Sequence, residues 1–269
     1  MSDFKDRVVL ITGGASGIGK IMGRLALEKG AAHLVVWDRD ATALHTTAAE
    51  WEGAITRLHT RMIDITHTPQ LAEACNELLA ELGKVDILIN NAGMVAGKLF
   101  QDHTPADIDN TMQVNALACM HLTRLLLPGM LARRQGHVCN IASAAGFIAN
   151  PRLSVYCASK WAVIGWSESL RLEMEQQRSG VRVTTVAPYY INTGMFAGVR
   201  SLIPILEPEF TARQIVRAVE RNRIFIKLPW VINLLPLAKG ILPIRWFDWL
   251  VGKALRTHST MKHFTGRPQ

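Results

Sequence analysis

The stretch VVLITGGASGIGK, residues 8–20, decides how the rest of the chain is read. The apolar run Val8 to Thr12 passes directly into a glycine-rich turn, and a helix-like pattern begins near Ile18. An apolar run without alternation suits a strand covered on both faces. Gly13, Gly17 and Gly19 let the backbone turn sharply and lie close to a ligand. Free N–H groups and the dipole at the start of the next helix favour a phosphate at that point. Gly13, Ser16, Gly17, Ile18 and Gly19 are therefore expected to cradle a pyrophosphate.

Six further runs repeat the pattern: His33 to Asp38, Leu58 to Ile63, Val85 to Asn90, His137 to Ala142, Val181 to Ala187 and Ile224 to Leu228. Helix-like segments separate them, so the expected fold is α/β, a single-domain, doubly wound parallel sheet of seven strands of Rossmann type. No linker, repeat or low-complexity stretch divides residues 1–228, and residues 229–269 read as a basic, apolar extension on or near the substrate side. In such sheets ligands sit beyond the C-terminal ends of the strands, so the residues just after each run are the ones to inspect.

The second run, HLVVWD, ends in Asp38, where a carboxylate can accept from both adenosine-ribose hydroxyls and would repel a 2′-phosphate; that favours NAD over NADP. Arg39 follows and offsets this in part, whereas Ser16 brings no positive charge to the glycine loop. In MIDIT, Asp64 and Ile65 close the third run, and the carboxylate can meet an adenine amino group. N-N-A-G closes the fourth, where Asn91, Ala92 and Gly93 let the backbone lie against the ribose groups.

Composition narrows the class. The chain has 269 residues and a net charge of +8, yet residues 221 to 269 hold nine Lys/Arg against one acid, Asp248, so the first 220 residues are neutral overall. A charge confined to a tail argues against a nucleic-acid partner. Four dispersed cysteines without a C-x-x-C pair read as reduced, buried thiols, and nine scattered histidines give no ligand spacing, so no metal is expected. The start, MSDFKDR, carries no targeting pattern, and no uninterrupted apolar run reaches membrane-spanning length; the expectation is a cytoplasmic protein.

The chain from about residue 5 to 228 resembles the short-chain dehydrogenase/reductase family. The residues that carry the resemblance are the T-G-x-x-x-G-x-G loop at Thr12 to Gly19, N-N-A-G at Asn90 to Gly93, Asn115 in VNA, Ser143 in NIASAAG, and Tyr156 with Lys160 in YCASK. The chemistry follows without the family name. Tyr156 and Lys160 stand at i and i+4 and share a helix face, so the ammonium favours the phenolate and brings a general acid/base toward the working pH. Ser143, at a strand end, can hydrogen-bond the reacting oxygen. The resemblance implies in addition that Lys160 binds the nicotinamide ribose, that Asn115 holds a water in a proton relay, and that the protein is a homodimer or homotetramer.

In APYYINTGMF, residues 187–196, Pro188, Ile191 and Thr193 match the family's clamp on the nicotinamide carboxamide, while Tyr189 stands where glycine is more usual. Tyr189, Tyr190, Met195 and Phe196, together with Ser143 and Tyr156, are the expected substrate contacts. An aromatic after this proline, followed by T-G-M-F, resembles the retinol, 17β-hydroxysteroid and long-chain alcohol dehydrogenase branch. The apolar stretch MFAGVRSLIPILEP then reads as a lid over an apolar ligand, or as a face packed on the core or on a partner subunit. In IRWFDWLVGKALR, Phe247, Leu250, Val251 and Ala254 are expected on one helical face, with Arg245, Asp248, Gly252 and Arg256 opposite. Trp230, Trp246 and Trp249 among basic residues point to peripheral contact with an anionic membrane surface; the same segment would serve equally to cover the cleft or to meet another subunit.

These features together predict an NAD-dependent oxidoreductase that moves a hydride between nicotinamide and an alcohol, ketone or aldehyde on a steroid, retinoid or long-chain substrate. Alternatives are a reductase of acyl-chain or small polar carbonyl compounds and a catalytically silent, membrane-associated nucleotide-binding scaffold. The set Asn115, Ser143, Tyr156 and Lys160 argues against the scaffold.

Overall fold

A computed structural model describes residues 2–51, 53 and 57–266, apart from the side chains of Arg57 and Ala254. Strands and helices alternate along the chain: β1 (Val8–Thr12), α1 (Gly17–Glu28), β2 (His33–Asp38), α2 (Ala41–Glu50), β3 (Arg57–Met62), α3 (Thr68–Leu82) and β4 (Ile87–Asn90). Then come α4 (Pro105–Met112), α5 (Ala118–Ala132), β5 (Gly136–Ile141), α6 (Ser154–Gln176), β6 (Val181–Pro188), α7 (Pro208–Glu220) and β7 (Phe225–Leu228). The seven strands form one parallel sheet in the order β3-β2-β1-β4-β5-β6-β7. The order reverses between β1 and β4, which opens a crevice at their C-terminal ends.

Both faces of the sheet are buried, which explains the unbroken apolar runs. Val9 and Ile11 of β1 join Ile18 and Met22 of α1 and Ile215 and Val219 of α7 on one side. Val8 and Leu10 join Leu71 and Cys75 of α3, Leu122 and Leu126 of α5 and Leu170 of α6 on the other. The alternation follows from the two-residue period of a strand. Local signals set the helix ends: Asp40 accepts from Ala43 N (2.9 Å) to cap α2, and Thr104 with Asp107 forms a capping box on α4. β4 begins at Ile87, two residues later than the run suggested. Before it, the Asp86 side chain accepts from Val8 N (3.0 Å), a position a regular ladder gives to a carbonyl.

The continuous helical segment Pro105–Ala132, which contains an 18-residue window of mean hydropathy 1.3, is long and apolar enough to cross a membrane. Leu122, Leu126 and Met130 bury its apolar side against the sheet. All four cysteines are free and buried.

After β7 the chain forms a 3-10 turn (Trp230–Asn233), α8 (Leu234–Ile241), α9 (Ile244–Asp248), a π turn (Trp249–Ala254) and a final 3-10 stretch (Thr257–His263). Ile232, Leu235, Phe247 and Val251 pack on Ala144, Ile148 and Ile203. Phe247 and Val251 point inward as the pattern predicted, Leu250 is half-buried, and the Ala254 side chain lies outside the described residues. Gly252 departs from the expectation: it is buried, because the wider π turn brings its Cα against the His258 ring.

Candidate active site

The crevice at the sheet's reversal point is a cleft of about 430 Å³. Its nucleotide end starts at Gly13, which sits at φ +62°, a left-handed conformation that favours glycine, with its amide held by Trp37 O (2.7 Å). A side chain on Gly13 would press on the backbone of Ala92, and one on Gly19 would overlap the Gly13 carbonyl. The loop and the N-N-A-G turn are tied together. Thr12 Oγ1 accepts from Asn91 N and Ala92 N, both at 3.1 Å, and Asn91 Nδ2 donates to Thr12 O and Gly13 O at 3.0 Å. Asp38 accepts from Ala15 N (3.1 Å) through Oδ2 and from Asp40 N (3.2 Å) through Oδ1, so each oxygen keeps an acceptor site. Burial opposes the ionisation of Asp64, but hydrogen bonds from Thr66 and the nearby Arg39 and His67 hold its carboxyl below the ordinary value. The cradle, the aligned N–H groups and the strand-end carboxylate fit a dinucleotide.

At the other end stand Ser143, after β5, and Tyr156 and Lys160, in the first turns of α6. Lys160 is buried, and its Nζ donates to Ile141 O (2.9 Å) and lies 5.8 Å from the centre of the Tyr156 ring. Burial lowers its amine from 10.5 to about 8. Burial likewise pushes the Tyr156 phenol up to about 12, against a hydrogen bond from Ser143 that acts to lower it. This differs from the expectation that the lysine alone brings the phenol toward neutrality. Desolvation disfavours both charged forms, and the ammonium spends a proton on a backbone carbonyl rather than on the phenol.

Asn115 lies in a π turn, Gln113–Leu117, between α4 and α5, a geometry that recurs at functional sites. Its Oδ1 accepts from Met94 N (2.8 Å), and its two N–H groups go to Met94 O (2.9 Å) and Ser159 Oγ (3.0 Å). The side chain thus fastens the loop after β4 to α6 behind the cleft, and its donors are committed to protein rather than open to a water.

The loop after β6 starts as a continuation of the sheet, with Tyr189 N donating to Leu228 O (2.7 Å). Tyr189 is not among the positive-φ residues; Gly194 (φ +83°) carries that demand instead, so a side chain is accommodated where glycine is more usual. Tyr189 and Tyr190 meet edge to face at 4.6 Å, Tyr190 and Phe196 at 4.9 Å, and Tyr156 and Phe196 at 5.8 Å. Burial raises both loop phenols. Tyr189 OH pairs with Ser201 Oγ (2.9 Å), while Tyr190 OH meets Thr260 Oγ1 (3.0 Å) and accepts from Asn150 Nδ2 (2.9 Å). A bridge between Ile191 and Leu206 folds the lid back, with Val199 and Ile203 inward and Leu202 and Ile205 outward.

Of the residues expected from sequence, Gly13, Ser16, Gly17, Ile18, Asp38, Asp64, Ile65, Asn91, Ala92, Gly93, Ser143, Tyr156, Lys160, Pro188, Tyr189, Tyr190, Ile191, Thr193, Met195 and Phe196 all line this one cleft. Gly19 and Asn115 support it from behind. Sequence reasoning missed Ile148, Asn150, Leu153 and Thr257, which also line it. The first three lie in the connection after β5, where the strand-end rule pointed; nothing in the tail's pattern singled out Thr257. Among the described residues no three His, Cys, Asp or Glu side chains converge on a metal-sized site.

Residues 7–202 match the family model for short chain dehydrogenase. The chain is 34% identical to epidermal retinol dehydrogenase 2 of Mus musculus over 97% of its own length and 85% of that protein's. It is 36% identical to estradiol 17-beta-dehydrogenase 11 of Pongo abelii, over 91% and 82% respectively. Among solved structures it is similar to a short chain dehydrogenase/reductase from Burkholderia phymatum in complex with NAD (TM-score 0.81, 24% identity, 90% of this chain and 96% of that one). It is also similar to a metagenomic short-chain oxidoreductase in complex with NADP (TM-score 0.71, 30% identity, 83% and 96%).

Proposed function

This chain belongs to the short chain dehydrogenase family of oxidoreductases, and on that premise we propose that it interconverts an alcohol and a carbonyl on a hydrophobic substrate, with NAD preferred over NADP. The observation that carries the reading is the placement of Ser143, Tyr156 and Lys160 in the same cleft as the glycine cradle and Asp38. Gly13, Ser16, Gly17, Ile18, Asp38, Asp64 and the Asn91–Gly93 turn would hold the dinucleotide, with Pro188, Ile191 and Thr193 beside its reactive ring. When bound, the nicotinamide supplies the hydride acceptor or donor.

The residues of the chain handle the oxygen and the proton. Ser143 holds the substrate oxygen, and Tyr156 takes the alcohol proton on oxidation or returns it on reduction. With its phenol pushed up to about 12, Tyr156 is a well-kept proton donor; acting as a base requires positive charge nearby, which Lys160 provides while protonated. Asn115 ties the loop at Met94 to α6 and so helps hold Tyr156 in place.

Tyr189, Tyr190, Met195, Phe196, Ile148 and Leu153 give the substrate end a wall of rings and aliphatic groups, which supports an apolar ligand over a sugar or hydroxy acid. The relatives named for retinol and estradiol favour the same class. A panel of retinol, estradiol and long-chain alcohols, followed by NADH and NADPH formation, tests the reading. Turnover of at least one with NAD is expected, and silence with all of them would refute it.

A further inference from the structure

The segment after β7 has two sides with different fates. Its inner residues, Ile232, Leu235, Phe247 and Val251, close on Ala144 and Ile148, which themselves line the cleft. Its outer residues are left exposed by the described residues of the chain. Trp230 is 72% exposed, Ile241 70%, Trp246 69% and Leu237 62%, and Leu234, Ile244 and Trp249 are exposed beside them. Leu234, Leu237 and Ile241 follow one another at i, i+3 and i+7, a single face of α8. Since α8, α9 and the π turn share one inner cluster, their exposed residues form the outside of the same layer. Large apolar side chains gathered in this way mark an interaction surface.

Charge identifies the occupant. Arg245, Lys253, Arg256 and Lys262 are exposed on the same extension, and among the described residues none of them pairs with a carboxylate. Asp248 is the sole acid after residue 220. In a two-fold contact between copies of this chain the patch would meet itself and set cation against cation. An anionic bilayer instead accepts both parts: tryptophans and aliphatic groups at the headgroup level, and lysine and arginine on the lipid charge.

We propose that the outer face of residues 230–253 docks the protein on an anionic lipid surface, with the mouth of the cleft behind the docked layer. What the docking is for, delivery of an apolar alcohol from the bilayer, rests on the function proposed above; the docking itself does not.

Co-sedimentation of the full chain with phosphatidylcholine vesicles, with and without phosphatidylserine, tests this in the absence of substrate, so its outcome is independent of turnover. The wild type is expected to pellet with the phosphatidylserine vesicles. Arg245→Glu with Lys253→Glu, and separately Trp246→Ser with Trp249→Ser, are expected to lower the partition coefficient by roughly tenfold or more while NAD-linked activity on a soluble alcohol is unchanged. Failure of the wild type to pellet, or equal pelleting of both variants, overturns the proposal. So does a shift from oligomer to monomer in the tryptophan variant, measured by light scattering without lipid, which would make the face a subunit contact.

Discussion

The Tyr190 hydroxyl lies 3.0 Å from Thr260 Oγ1, seventy residues further along the chain. Asn150 Nδ2 donates to both oxygens at 2.9 Å, and Thr260 Oγ1 donates to Thr257 O at the same distance. Three segments are thereby fixed at the substrate end: the connection after β5, the loop after β6 and the tail. Tyr190→Phe and Thr260→Val should each cost about 1 kcal/mol of stability, and the pair should cost less than the sum, because they delete the same contact. A double-mutant cycle by chemical denaturation checks this. The KM for bulky apolar alcohols is expected to rise in both variants, with NAD affinity unchanged.

Tyr156→Phe removes the hydroxyl proposed to exchange a proton with the substrate oxygen and leaves ring packing on Phe196 intact. Turnover should fall by roughly a thousandfold. Cofactor affinity, read by fluorescence titration, should stay within about threefold of the wild type, since a phenol oxygen contributes little to holding a dinucleotide.

Lys160 gives a signature in pH. Its amine is lowered to about 8 in the folded chain from an ordinary 10.5, so between those values the unfolded chain holds a proton that the folded chain has released. Stability contributed by this group therefore rises with pH across that window. Replacement by methionine removes the slope: relative to Lys160→Met, the wild type should gain melting temperature from pH 8 to pH 10. The Tyr156 phenol, raised to about 12, works in the opposite sense above its ordinary 10.0, which bounds the useful range. Turnover of Lys160→Met should drop by roughly a hundredfold or more at neutral pH.

Much of this was legible in the sequence because burial on both faces of a parallel sheet leaves an imprint: continuous apolar runs, most of whose ends point to the cleft. Asp38 and Asn91 were read from that position, and Ser143 from the family resemblance together with its place at a strand end. The electrostatics of Tyr156 were not, because i, i+4 spacing reports proximity and says nothing of desolvation, which here outweighs the Ser143 hydrogen bond. Thr257 escaped for another reason. Its place in the cleft depends on a π turn and on Gly252 packing against His258, neither of which has a periodic signature. Asn150 could have been found, since it follows β5 as Ser143 does; a half-buried amide in a connection simply looks like a turn residue.

Asp38 should govern cofactor choice. Asp38→Ser removes the charge that opposes a 2′-phosphate and leaves Arg39 free to attract one, so the ratio of kcat/KM for NADP over NAD is expected to rise by roughly tenfold or more. Initial rates with each cofactor on one alcohol decide it. An unchanged ratio would show that the carboxylate serves only to hold the Ala15 and Asp40 amides.

Gly19→Val tests the cradle. Any side chain at this position meets the Gly13 carbonyl, and the loop must shift to admit it. Loss of saturable NAD binding is expected, with the sheet's far-ultraviolet circular dichroism retained; wild-type affinity would mean that the loop yields without consequence.

Thr257 lines the cleft and Thr260 holds the Tyr190 hydroxyl from beyond β7, whereas every residue proposed for the dinucleotide precedes Gly194. Part of the far wall at the substrate end is thus encoded after the stretch that holds every residue proposed for the dinucleotide. Recombination that exchanges the later stretch between two relatives would give a new far wall to an unaltered nucleotide half. Synthesis follows the same division: the dinucleotide cradle leaves the ribosome first, and the alcohol's pocket acquires its last side only when the tail folds back onto Tyr190.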